Sequence, residues 1–168
     1  MEGETESPAQ TYNRDGVLDF VDSISSGFYD TGRNVFPLPS LESLREIPPN
    51  KGREVILVDE AKDRKLLIMK ELALETVHVM REDPEKERAI AVAKLIDTRM
   101  GGQDRDILSN SQKLITHLKE KMRNNVVLLG DISQGVCRHR AIMFKYLSDA
   151  CGIKSRLVRV YYLGGTGF

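Results

Sequence analysis

The chain has 168 residues, 40% hydrophobic and 30% charged, and its 25 Lys and Arg balance its 25 Asp and Glu. That length predicts one domain with its own core, and the composition excludes disorder throughout. A formal charge of zero sets up no long-range field toward nucleic acid or an anionic membrane.

Residues 1–14 are polar, acidic at Glu2, Glu4 and Glu6, and free of apolar period, which predicts a disordered leader and is the opposite of a signal peptide. Apolar runs such as 126–129 fall far short of the roughly 20 residues that span a bilayer. No transmembrane segment and a cytoplasmic location are expected.

Val17, Leu18, Val21 and Ile24 fit a short amphipathic helix over 15–27 that ends at Gly27. Residues 28–52 contain Pro37, Pro39, Pro48 and Pro49, which break any regular element and predict an ordered loop anchored by its aromatics and leucines. The β-branched run Arg53–Asp59 reads as a strand buried on both faces. Three helical patterns follow, over 60–81, 84–98 and 104–122, the last two separated by Gly101 and Gly102. Residues 124–129 read as a short strand or extended approach, 136–150 as a helix closed by Gly152 at C′, and 155–163 as a strand.

The last of these helices carries the chemistry. Cys137 sits in its first turn, where unpaired N–H groups and the dipole favour a thiolate, and Arg138, His139 and Arg140 add positive charge beside it. Cys137, Ala141, Phe144, Ser148 and Cys151 recur at helical spacing and are expected to share an inward face. Cations at a helix N-terminus oppose the dipole, so three in succession call for a neighbouring carboxylate, a bound anion or a thiolate. The alternative is a solvated basic turn above a buried, inert cysteine. Two cysteines at the two ends of one helix, about 21 Å apart at 1.5 Å per residue, cannot bridge within the chain. No metal site and no cofactor is called for; Gly164-Gly165-Thr166-Gly167 lacks the Lys-Ser/Thr and following helix of a phosphate loop.

The segment Gly135-Val136-Cys137, with Ala141, Leu147, Gly152-Ile153 and Ser155-Arg156-Leu157-Val158, resembles the nucleophile segment of the transglutaminase-like, papain-related core. Together with Gly27-Phe28-Tyr29-Asp30, Pro39-Ser40-Leu41, Arg53–Asp59 and Gly135–Ala141, the chain is similar to the peptidase-like domain of plant Raf-like kinases of the constitutive triple response and enhanced disease resistance type, with armadillo-repeat relatives. The resemblance implies an α+β fold, helices packed on a small antiparallel sheet, occupying residues 15–168 and truncated on its C-terminal side. It also implies that enzymatic relatives supply a His and an Asp from later strands to activate the cysteine.

Such strands are not expected before Phe168, and the histidines present do not replace them. His139 lies two residues from Cys137 and so points to another side of the helix, while His78 and His117 precede the cysteine, against the expected order. The expected function is therefore a non-catalytic regulatory or interaction domain of a signalling protein, contacting a protein partner or the kinase domain of its parent. Candidate binding residues are Gln134, Arg138, His139, Arg140 and Arg156, and Cys137 is the candidate nucleophile. The alternative is a cysteine hydrolase or acyltransferase completed by sequence outside this chain. An apolar strand edge at 155–168 predicts a homodimer through that segment.

Overall fold

The computed structural model describes residues 41–50 and 54–155. The described elements run α1 (Leu41–Arg45), β1 (Val55–Leu57), α2 (Arg64–Val79), α3 (Glu85–Arg99), α4 (Ile107–Met122), β2 (Val126–Leu128), a 3₁₀ turn (Leu129–Asp131) and α5 (Cys137–Ala150). The expected helix over 15–27 and strand over 155–163 lie outside the described residues, apart from Ser155.

The start of α2 is set by a side chain that satisfies one of its free N–H groups. Helix α2 begins at Arg64 and not at Glu60 because Asp63 caps it: Asp63 Oδ1 accepts the Leu66 N–H at 2.9 Å. The turn before it is closed by Asp59, whose Oδ1 accepts the Ala61 N–H at 2.9 Å. Gly101 and Gly102 connect α3 to α4 at φ 94° and 61°, a left-handed path that costs glycine little. Helix α5 ends as expected, with Gly152 at φ 66°. The Gly152 N–H bonds Asp149 O, and the Ile153 N–H bonds Ser148 O, a Schellman closure with buried Ile153 beneath it.

Strands β1 and β2 pair in parallel, Val55 opposite Val126 and Leu57 opposite Leu128, where an antiparallel sheet was expected. Three helices intervene between them, and a chain that crosses over through helices returns in the same direction. Within the predicted 28–52 loop, residues Leu41–Arg45 form a one-turn helix.

Both faces of the sheet are buried, as the apolar run predicts. On one face Ile56, Val58, Val127 and Leu129 join Leu66, Met69, Val92, Ile142, Met143 and Leu147 in the main core. On the other, Val55, Leu57 and Val126 pack with Leu44 of α1 in a smaller cluster. Each such side chain contributes about 1.5–3 kcal/mol relative to exposure.

Helix α5 is rotated relative to the orientation that its spacing predicts. Cys137 and Ala141 are exposed and Phe144 and Cys151 are half-buried, so the expected inward face is outward at its start. The buried residues are His139, Ile142, Met143, Tyr146, Leu147 and Ser148. Burial of Ile, Met, Tyr and Leu removes far more apolar surface from water than burial of Cys and Ala, and that difference sets the rotation of the helix.

Candidate functional site

The start of α5 is fixed by two clamps that join it to segments distant in sequence. In the first, His139 is fully buried. Its Nδ1 accepts the Val136 N–H at 3.1 Å, and its Nε2 lies 2.6 Å from Glu54 Oε1. An acceptor Nδ1 places the ring proton on Nε2, which therefore donates to the carboxylate. His139 thus performs the N3 half of a capping box, a role usually taken by Glu or Gln. The reciprocal half is absent, because the N-cap is Val136 and a valine side chain has no acceptor.

Arg138 completes this clamp, with Nε donating to Glu54 Oε1 at 2.9 Å and Nη2 to Glu54 Oε2 at 3.0 Å. The Arg138 side chain is 46% exposed and that of Glu54 10%. Burial alone would push the Glu54 carboxyl up, but hydrogen bonds from His139 and Arg138 and the adjacent positive charge outweigh it, and the group is held at about 2. Lys119 of α4 stands in the same field: burial lowers it, Glu54 acts against that shift and Arg138 adds to it.

Arg140 makes the second clamp. Its Nε donates to Gly135 O at 2.7 Å, Nη2 to Met100 O at 2.9 Å and Gly102 O at 2.7 Å, and Nη1 to Asp97 Oδ1. The Gly135 N–H also donates to Met100 O at 3.1 Å. The planar guanidinium fork reaches the α3–α4 turn and the start of α5 together, which a lysine could not do. Gly135 is required by close approach: a Cβ there would lie 2.7 Å from Met100 Sδ and 3.3 Å from His139 Cβ.

A third tie supports the loop below. The buried Asp63 that caps α2 also accepts the Gly130 N–H at 2.6 Å through Oδ2. Burial raises the Asp63 carboxyl despite its backbone hydrogen bonds. A Cβ on Gly130 would sit 2.2 Å from Asp63 Oδ1 and 2.6 Å from the Leu66 nitrogen.

Of the candidates read from the sequence, Arg138, His139 and Arg140 come together at one helix start, and their partners are carboxylates and backbone groups of the same chain. Of the three explanations for cations at a helix N-terminus, the structure supplies the carboxylate: Glu54 and Asp97 neutralise the basic turn. Cys137 occupies the first helical position and is exposed, with His139 turned inward, away from solvent. His78 and His117 are exposed, on α2 and α4 respectively. Gln134 sits against the α3–α4 turn, its Oε1 2.5 Å from where a Cβ on Gly101 would be. Arg156 lies outside the described residues. Sequence reasoning did not single out Glu54 and Asp97. Glu54 carried one signal, an acidic residue at the head of a strand otherwise buried on both faces.

A family profile described as EDR1/CTR1/ARMC3, peptidase-like, matches residues 4–167. The chain is similar to the probable serine/threonine-protein kinase SIS8 of Arabidopsis thaliana, 29% identical over 168 aligned residues that cover 90% of this chain and 16% of the kinase. It is similar to the serine/threonine-protein kinase CTR1 of the same plant, 31% identical over 173 aligned residues, covering 86% of this chain and 20% of CTR1. Armadillo repeat-containing protein 3 of Homo sapiens is 36% identical over 80 residues, 46% of this chain and 9% of that protein. The chain therefore spans about a fifth or less of the length of the curated relatives it matches. No solved structure gives a significant match. Since the profile runs through both halves of each clamp and over nearly the whole sequence, the protein belongs to the EDR1/CTR1/ARMC3 peptidase-like family.

Proposed function

We propose that the chain is a non-catalytic regulatory or protein-interaction module that acts on a kinase domain of its parent protein in the cytoplasm. We read its fold as a transglutaminase/papain-like core in which Cys137 keeps the nucleophile position without a base. One observation carries the reading: both ring nitrogens of His139 are committed, one to the backbone of its own helix and one to Glu54. A ring held that way orders the helix start and has no lone pair free to take a proton from Cys137. The similarity to two serine/threonine-protein kinases supports the choice of a kinase domain as the partner.

Two measurements test this. Incubation with peptide amides and acyl thioesters is expected to give no turnover above background, and titration of a kinase domain of the SIS8 or CTR1 type into the chain is expected to give saturable binding. Turnover abolished by Cys137→Ala, or the absence of binding, would overturn the proposal. The exposed position of Cys137 at a helix start favours one second reading, a cysteine hydrolase or acyltransferase whose His and Asp lie elsewhere in the parent protein, and Cys137-dependent turnover would establish it.

A further inference from the structure

Helix α2 is apolar beyond its core side: Leu67 and Leu74 are exposed on one flank, and a further stripe lies on the outward side. Leu66, Met69, Ala73 and Val77 face the core. On the outward side Ile68 is 46% exposed, Leu72 43% and Val79 75%, positions that share a stripe at 3.6 residues per turn. A single exposed apolar residue needs no explanation, but three on one stripe form the kind of patch that marks an interaction surface.

The charges along the stripe indicate what covers it. Arg64 stands at its N-terminal end, Glu71 and Glu75 flank it further on, and all three are exposed without an ion pair among the described residues. This order is self-complementary when the helix is reversed. Laid antiparallel on itself, Ile68 of one helix meets Leu72 of the other, and Arg64 of each falls beside Glu75 of the other. A two-fold axis needs this property, because each residue contact then occurs twice. A parallel pairing would set Glu71 and Glu75 against their own copies.

We infer that the outward face of α2 is a homodimer surface, with a second copy of this chain as its occupant, packed antiparallel through Ile68 and Leu72 and held in register by two Arg64–Glu75 pairs. The inference is independent of the catalytic status of Cys137 and of the 155–168 segment. One 16-residue helix, about 24 Å long, offers less than the roughly 800 Å² per partner of a standard interface, so the association is weak and reversible.

Sedimentation equilibrium of the 168-residue chain from about 10 to about 500 µM, the range in which an interface below standard size associates, tests it. The apparent mass is expected to rise from the 19.0 kDa of the chain toward twice that value, and to stay at the monomer value for Ile68→Glu. Glu75→Arg should weaken association at least tenfold by setting it against Arg64 of the partner copy, and the double variant Arg64→Glu, Glu75→Arg should restore it. These are exposed positions, and an unchanged circular-dichroism melt shows that each variant folds. A monomer mass for the unmodified chain throughout, as would follow if residues 1–40 or another protein covered the stripe, overturns the inference. So does association that Ile68→Glu leaves unchanged.

Discussion

Replacing Glu54 with alanine is the sharpest test of the clamp at the start of α5. The variant leaves the His139 Nε2–H, fully buried, with no acceptor, and an orphaned buried donor costs about 1–3 kcal/mol. Arg138 also loses its carboxylate, but at 46% side-chain exposure it regains water, so its share is that of a surface pair, under about 1 kcal/mol. Together these give about 3 kcal/mol, which for a chain of this length lowers Tm by roughly 6–12 °C. The same carboxyl supplies a pH signature. It is held at about 2 in the fold against an ordinary 4.5, so below 4.5 the unfolded chain takes up the proton first. Its contribution, on the order of 3 kcal/mol at neutral pH, is complete above 4.5 and lost as pH falls toward 2. Urea unfolding followed by circular dichroism between pH 2 and 7 should therefore show the alanine variant less stable at pH 7, with a shallower acid limb. Asp63, raised by its burial, has the opposite sign and is common to both proteins. A loss under about 0.5 kcal/mol at pH 7, or a double-mutant cycle in which Glu54→Ala and His139→Ala simply add, would refute the argument.

Arg140→Lys should destabilise by about 2 kcal/mol, nearly as much as Arg140→Ala, because one ammonium cannot reach the three carbonyls and Asp97 that the fork serves; equal stability of Arg140→Lys and wild type in urea melts would contradict this. Gly130→Ala should cost more than Gly135→Ala, the first about 3 kcal/mol and the second about 1 kcal/mol, since the new methyl meets Leu66 backbone at 2.6 Å in one case and the movable Met100 side chain in the other. Reversed order of the two midpoints would count against that geometry. Cys137, exposed, should be alkylated by iodoacetamide faster than Cys151, which is half-buried and whose thiol is pushed up by burial. Peptide mass mapping across pH 7–9 reads the two rates, and equal rates would be incompatible with the placement.

The local elements were legible in the residues because their causes are local. Helices α2, α3 and α4 follow from apolar spacing over 60–122, the α3–α4 break from Gly101-Gly102, and the close of α5 from Gly152, since each depends on positions only a few residues apart. The run 53–59 announced a strand buried on both faces by its unbroken apolar middle. The clamps were not legible in the same way. Glu54 and His139 are 85 positions apart, Asp97 and Arg140 43, and no period in a sequence says which carboxylate will meet which basic side chain. The direction of strand pairing and the rotation of α5 belong to the same class. Both depend on how three intervening helices pack, and burial of Ile142, Met143, Tyr146 and Leu147 outweighed the smaller face headed by Cys137. The basic turn at 138–140 posed a question that the sequence could state, which negative group accompanies it, and only the tertiary structure could answer by bringing Glu54 and Asp97 to its side.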